Sequence, residues 1–218
     1  MKTATSGKFN YAEALQKSFL FYEANRSGDL PDDNRIPWRG DSTLSDGQDV
    51  GRDLSGGYFD AGDHVKFGLP MAASMTMLAW GLDEYEGAYQ SIGQKDEALE
   101  AIKWGTDYFL KAYDDKGTQT VADDVFYGQG GNGQVDHSFW GPAERLNMAR
   151  PTYGVDANNA GSDITGETAA ALASASIVFR ASDAAYADQL LAKAKQLYTF
   201  AETYRGKYSD SITDAHSF

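Results

Sequence analysis

The chain of 218 residues has no cysteine, so disulfides and thiolate chemistry are excluded and cysteine usage leaves the redox compartment undetermined. His64 and His137 have no third His or Cys in a metal-ligand pattern, which argues against zinc. Basic residues are scarce: 19 Lys and Arg face 32 Asp and Glu, for a net charge of −13, and no basic cluster interrupts the excess. Nucleic acid and anionic membrane surfaces are therefore excluded as partners, whereas an uncharged polymer is not repelled. Long apolar runs are missing too. The longest, near 69–82 and 169–179, are short for a membrane span and are interrupted by Ser or Thr. The first eight residues, a short N-terminal tail, contain no apolar h-region and do not read as a secretory signal. The expectation is a soluble protein whose leader, if it is secreted, has been removed.

Regular alternation of polar and apolar residues over a useful strand length is also lacking, so the expected fold class is all-α. Apolar residues recur instead at helical spacing. Leu15, Phe19 and Tyr22 line one segment; Met71, Met75, Leu78, Leu82 and Tyr85 line a second, with Pro70 suited to its first turn. Leu99, Ile102, Thr106, Phe109 and Tyr113 mark a third. An alanine-rich fourth, 167–179, carries Leu172, Ser176 and Phe179 on one side, and its small residues admit a close neighbour. The fifth carries Tyr186, Leu190, Ala194, Leu197, Ala201 and Tyr204. Between the last two, Arg180-Ala181-Ser182-Asp183 is a short connection with Ser182 or Asp183 as N-cap, which spells an antiparallel helical hairpin.

Two long irregular segments, roughly 27–69 and 114–165, break this pattern. Aromatic residues make up 13% of the chain, and these segments hold Trp38, Tyr58, Phe59, Phe67, Phe126, Tyr127, Phe139, Trp140 and Tyr153. That content is too aromatic for disorder and fits functional loops presented by a helical scaffold.

The segment Gly56-Gly57-Tyr58-Phe59-Asp60-Ala61-Gly62-Asp63-His64-Val65-Lys66-Phe67 sets two carboxylates three residues apart in a glycine-rich turn. Carboxylates are the usual acids and bases of glycoside hydrolysis, and aromatic faces such as that of Tyr58 suit sugar rings. Two close carboxylates can hold one water from two sides, and their repulsion raises proton affinity, which suits a base. The alternative is a turn in which Asp60 and Asp63 merely cap backbone amides or bind a cation. A second cluster, Asp136-His137-Ser138-Phe139-Trp140-Gly141-Pro142-Ala143-Glu144, joins an imidazole to an indole face. His137 can orient a sugar hydroxyl and Trp140 can stack on a ring, or Trp140 is a core aromatic and His137 satisfies a backbone group. A third cluster, Gly161-Ser162-Asp163-Ile164-Thr165-Gly166-Glu167, opens the alanine-rich helix. Asp163 and Glu167 can offer oxygen ligands to calcium, but helix capping is the plainer reading. In Pro37-Trp38-Arg39-Gly40-Asp41, an Arg39–Asp41 pair is expected to steady the long loop.

Together these blocks resemble the N-terminal half of a glycoside hydrolase family 9 catalytic domain, over residues 9–218. The resemblance covers Arg35-Ile36-Pro37-Trp38-Arg39-Gly40-Asp41-Ser42, 55–70, 136–144, 161–171, and Tyr204-Arg205-Gly206-Lys207-Tyr208-Ser209-Asp210. It implies an (α/α)₆ barrel, of which about half is present, and endo-acting hydrolysis of β-1,4-glucan (cellulose and its oligosaccharides) with inversion. It assigns the general base to Asp63, with Asp60 also holding the water, and places His137 and Trp140 in the cleft. It further implies a structural calcium near Ser162, Asp163 and Glu167, with Asp210 as a ligand, and secretion from the cell. The family's catalytic acid, a Glu in an acidic-asparagine context, has no counterpart here; Glu144 and Glu202 lie elsewhere in pattern. The chain is thus expected to be a fragment, a truncated product, or one part of a two-chain enzyme. A non-catalytic glucan-binding module is the competing reading. A different α/α-toroid enzyme acting on acidic polysaccharides is disfavoured by the scarcity of basic residues in the motif loops.

Overall fold

A computed structural model describes residues 9–118 and 120–217; the expected tail, 1–8, lies outside them. The expected helices are present as α1 (Tyr11–Ala24), α2 (Gly68–Ser91), α3 (Lys95–Ala112), α5 (Ser162–Phe179) and α6 (Ala184–Thr203), with two short ones, α4 (Gly133–His137) and α7 (Tyr208–Ser211). Among the described residues no helix is long and apolar enough to cross a membrane.

The core follows the apolar periodicity. Helix α5 packs against both α6 and α2, and α2 also meets α3. Met75, Ile102, Phe109, Leu172, Leu190 and Leu197 are fully buried among these helices. Each such side chain contributes about 1.5–3 kcal/mol of burial free energy. The small residues of α5 act as expected: Ala169, Ala171 and Ala175 are buried, leaving little side chain to hold the neighbours apart. The α5–α6 hairpin turns at residues 180–183, and Asp183 is its N-cap, accepting from Tyr186 N at 3.0 Å. Helix α5 begins a full turn before the expected position. Helix α2 runs past the expected Tyr85, which adopts a non-helical φ of −120° and ψ of 28° and kinks it. One face of α2 has no cover among the described residues: Pro70, Ala73, Met77 and Trp80 recur at helical spacing and stay exposed.

The expectation of an all-α chain needs one correction. A small antiparallel sheet is built from β1 (Lys66–Phe67), β2 (Tyr113–Asp114), β3 (Val125–Gly130) and β4 (Thr152–Val155). Strand β3 is central. β1 pairs Lys66 with Gly130 and Phe67 with Gln129, while β2 pairs Tyr113 with Phe126. β4 takes the other edge, with an irregularity between Tyr127 and Gln129. The sheet ties both irregular segments to the helices. It also places the turn that comes after Tyr58 directly before β1 and α2.

Candidate active site

The carboxylate turn is held at both ends by backbone pairing. Residues before it form a bridge between Arg26 and Tyr58, with Ser27 N donating to Gly57 O and Phe59 N to Asn25 O, each at 2.9 Å. Asp60 N donates to Val65 O at 3.1 Å and closes the loop that contains Asp63, and β1 anchors its far end to the sheet. Gly56 and Gly57 occupy the left-handed region at φ 96° and 73°, and a Cβ on Gly57 would lie 2.8 Å from the Tyr108 ring. A side chain there is excluded on both counts. Gly62, expected to share that role, has no positive φ.

Asp60 and Asp63 line one open cleft of about 510 Å³, with Phe67, Pro70, Asp136, His137, Phe139, Trp140 and Tyr208 around them. Burial pushes the Asp60 carboxyl above its ordinary value, and the Asp63 charge adds to the rise. Burial likewise raises Asp63; His137 opposes the rise and the buried Asp136 charge reinforces it. The Asp63 side chain is 9% exposed, with Oδ2 at 3.3 Å from His137 Nδ1. Its Oδ1 is buried without a hydrogen-bond partner. Both carboxyls therefore hold a proton more readily than free aspartate, which is the property a general base needs.

His137 ends the short helix α4, where its Nδ1 also lies 3.0 Å from Gly133 O. Asn132 caps that helix through Val135 N, and Asp214, in the turn Thr213–Ser217, accepts from Gly133 N, each at 2.9 Å. Trp140 is fully exposed at the cleft, so it is not a core aromatic.

Tyr58 is a correction. It is 5% exposed, its hydroxyl donates to Ala101 O at 2.8 Å, and its ring meets Tyr22 edge-on. The bridge to Arg26 turns it inward, so it belongs to the core under the turn and not to the wall of the cleft holding Asp63. The expected Arg39–Asp41 pair is also not formed. Arg39 joins Glu144 Oε1 at 2.8 Å and donates to Arg26 O, whereas Asp41 accepts from Leu30 N. Burial would raise Glu144, but the bonds from Arg39 and Gly40 outweigh it and hold this carboxyl below its usual range. It is a fixed anion and not a proton donor.

The residues expected to hold calcium are each engaged around the start of α5 or exposed near it. Asp163 Oδ1 accepts from Ile164 N and Tyr208 N, both at 2.9 Å, pinning the start of α5 to α7. The Ser162 hydroxyl meets Gly206 O at 3.1 Å. Glu167 accepts from the Thr76 hydroxyl at 2.9 Å across the α2–α5 contact, and the Asp210 side chain is 74% exposed. Among the described residues no three His, Cys, Asp or Glu side chains form a metal-sized cluster. The oxygens that meet at the junction of α5 with 206–210 are those of Ser162, Asp163 and the Gly206 carbonyl.

Sequence reasoning missed a buried ionic chain behind the turn. Lys66 Nζ lies 2.8 Å from Asp46 Oδ2, Asp46 Oδ1 meets Arg150 Nε at 2.7 Å, and Arg150 Nη1 reaches Asp136 Oδ2 at 3.4 Å. Asp136 Oδ1 then accepts from His64 N at 2.8 Å. Four charged side chains so deeply buried have to be mutually paired, and here they end on the backbone amide next to Asp63.

The sequence profile of glycosyl hydrolase family 9 matches residues 11–218. The chain belongs to this family. It is 55% identical over 210 residues to endoglucanase A of Bacillus pumilus, covering 96% of this chain and 31% of that protein. Among solved structures, the endoglucanase of the termite Nasutitermes takasagoensis superposes with a TM-score of 0.91 at 55% identity, covering 97% of this chain and 47% of that one. Endoglucanase CelQ from Clostridium thermocellum, solved with cellotetraose, superposes with a TM-score of 0.82 at 37% identity, covering 97% and 31%. This family 9 chain thus spans about a third of the curated relative and about half of the termite chain. Its mainly helical fold is that of the family 9 structures.

Proposed function

We propose that this chain carries the base side of the active site of an inverting endo-β-1,4-glucanase. The observation that supports it most is the pair Asp60 and Asp63 in one turn of an open cleft, both with raised proton affinity, with an acceptor oxygen of Asp63 left unfilled. In this reading Asp63 takes a proton from water as that water attacks the anomeric carbon, and Asp60 holds the same water from the other side. His137 orients a sugar hydroxyl beside Asp63, and the exposed indole of Trp140 stacks on a ring. A neutral glucan meets no repulsion from a chain of net charge −13. The CelQ complex with cellotetraose and the names of the relatives point to the same substrate class.

The leaving oxygen needs an acid on the opposite side of the bond. In inverting enzymes the two carboxyls stand roughly 6.5–9.5 Å apart to leave room for water. The acidic residues lining this cleft are Asp60, Asp63 and Asp136. The first two share a turn and the third is committed to His64 and Arg150, so the acid is assigned to a Glu outside these residues. The helices form about half of an (α/α)₆ barrel, and the exposed stripe of α2 fits a surface that further hairpins, on this chain or a second one, would cover. Calcium is proposed for the junction of α5 with 206–210, where the donors on offer are all oxygens; no step of the reaction passes through it. Action outside the cell follows from an insoluble substrate.

The test is Asp63→Asn in the full-length enzyme. The expected result is a loss of about 10²–10⁴-fold in kcat with cellotetraose affinity within a few-fold of wild type, because a general base acts on the transition state. Unchanged kcat would overturn the assignment. A glucan-binding module without turnover is the second reading, favoured by the lack of an opposed acid among the described residues of the cleft. It predicts the same binding and no new reducing ends.

A further inference from the structure

Burying charge is costly, and well-packed apolar residues are often at least as stable as a buried ion pair, so stability alone is a weak reason for the ions behind the turn. Their placement suggests another use. Asp136 has a fully buried side chain and grips the turn at His64 N, the amide one residue beyond Asp63. The next residue of the same helix, His137, faces the Asp63 carboxyl itself. Helix α4 thus meets the base at its carboxyl and its turn at the next amide. The charge of Asp136 is compensated from the turn by the His64 imidazole, Nδ1 at 3.6 Å, and from behind by Arg150, whose Nε and Nη2 also bind both oxygens of Asp46 at 2.7 and 3.1 Å. Lys66 completes that arrangement from β1.

We propose that Asp136 is a positioning residue for the base: it fixes the Asp63 turn through His64 N and sets the field at the Asp63 carboxyl, with Arg150 as the counter-charge that limits that field. The inference rests on Asp63 being the base. The charged and titratable groups around Asp63 are Asp60 and His64 on its own turn, Asp136 and His137 on α4, Tyr208 on α7 across the cleft, and the paired Arg39 and Glu144 on the other side of the turn. Asp136 is the fully buried one among them. Its anion disfavours a second anion nearby and so keeps Asp63 basic; the Arg150 cation works in the opposite direction.

The two partners therefore predict shifts of opposite sign, which a general loosening of the site does not produce. Asp136→Asn preserves shape and keeps an acceptor for His64 N while removing the charge. In the full-length enzyme, the acid limb of kcat/KM should move to lower pH by roughly half a unit or more. Arg150→Gln should move it to higher pH. Asp136→Ala, which also frees the turn, should lower kcat by about 10²-fold with a smaller change in KM, as a misplaced catalytic group does. A carbon-detected NMR titration of the Asp63 carboxyl in the full-length enzyme gives the same readout without turnover. An unmoved or upward-shifted Asp63 titration in Asp136→Asn overturns the proposal. If Arg150→Gln does not fold, the Asp136→Asn titration alone decides. Should Asp63→Asn retain full activity, the base assignment itself falls; should it lose activity while the Asp136→Asn profile stays put, only this inference falls.

Discussion

Lys66 is the most exacting place to test the electrostatic account. It is 0% exposed, and its ammonium is satisfied by Asp46 Oδ2 at 2.8 Å, Leu54 O at 2.6 Å and Gly56 O at 3.2 Å, which uses all three donors. Burial pushes its pKa down from 10.5 to about 8, although Asp46 works against the fall. Between those two values the unfolded chain binds a proton that the folded chain does not. The contribution of this group to stability therefore rises with pH across that window and is smallest below pH 8. Lys66→Met removes the titration and leaves two carbonyls without a donor, while Asp46 keeps Arg150. The expected destabilisation at pH 7 is about 2–4 kcal/mol, somewhat below that of breaking a buried pair with no second partner. One and a half units above the folded value, near pH 9.5, the difference between wild type and variant should be larger by about 2 kcal/mol, at roughly 1.36 kcal/mol per unit. Urea unfolding of both proteins at pH 7 and 9.5 gives this double difference, in which other titrating groups largely cancel. A difference independent of pH would refute the reasoning.

Three further outcomes are expected. Tyr58→Phe should cost about 1 kcal/mol of stability by removing the bond to Ala101 O, and should leave cello-oligosaccharide binding unchanged; weakened binding at unchanged melting temperature would return Tyr58 to the cleft. Calcium should raise the melting temperature and Asp163→Ala should shrink that increment; a melting curve indifferent to EGTA in calcium-loaded protein counts against the site. Residues 1–218 by themselves should cleave carboxymethylcellulose at least about 10²-fold more slowly than the full-length enzyme for want of an opposed acid, and should self-associate through the exposed Pro70, Ala73, Met77 and Trp80 face. A monodisperse monomer with ordinary turnover contradicts both parts.

Local pattern carried the helices well. The spacing of Met71, Met75 and Leu82, or of Leu190, Ala194 and Leu197, is a signal within one helix, and those residues are buried where the period puts them. The cap at Asp183 is equally local. The sheet was illegible because β1 and β2 have two residues each and β3 reads Val125-Phe126-Tyr127-Gly128-Gln129-Gly130, without alternation. Its partners come from up to 64 residues away, Lys66 to Gly130, and no window detects that. Proximity in sequence to Asp60 misplaced Tyr58, since the backbone bridge to Arg26 turns it inward. The chain Lys66, Asp46, Arg150 and Asp136 draws two members from each of the two irregular segments, all four well apart in sequence. Each looks like an ordinary surface charge until the fold brings them together.

The most direct measurement of the central claim, that Asp63 is the base, is hydrolysis by Asp63→Ala in the full-length enzyme with and without sodium azide. Without a base the variant should lose about 10²–10⁴-fold in rate. Azide is anionic and needs no proton removed, so it should restore part of that rate and yield a sugar azide of inverted configuration. Near-wild-type hydrolysis of soluble glucan by Asp63→Ala in the absence of azide would contradict the account.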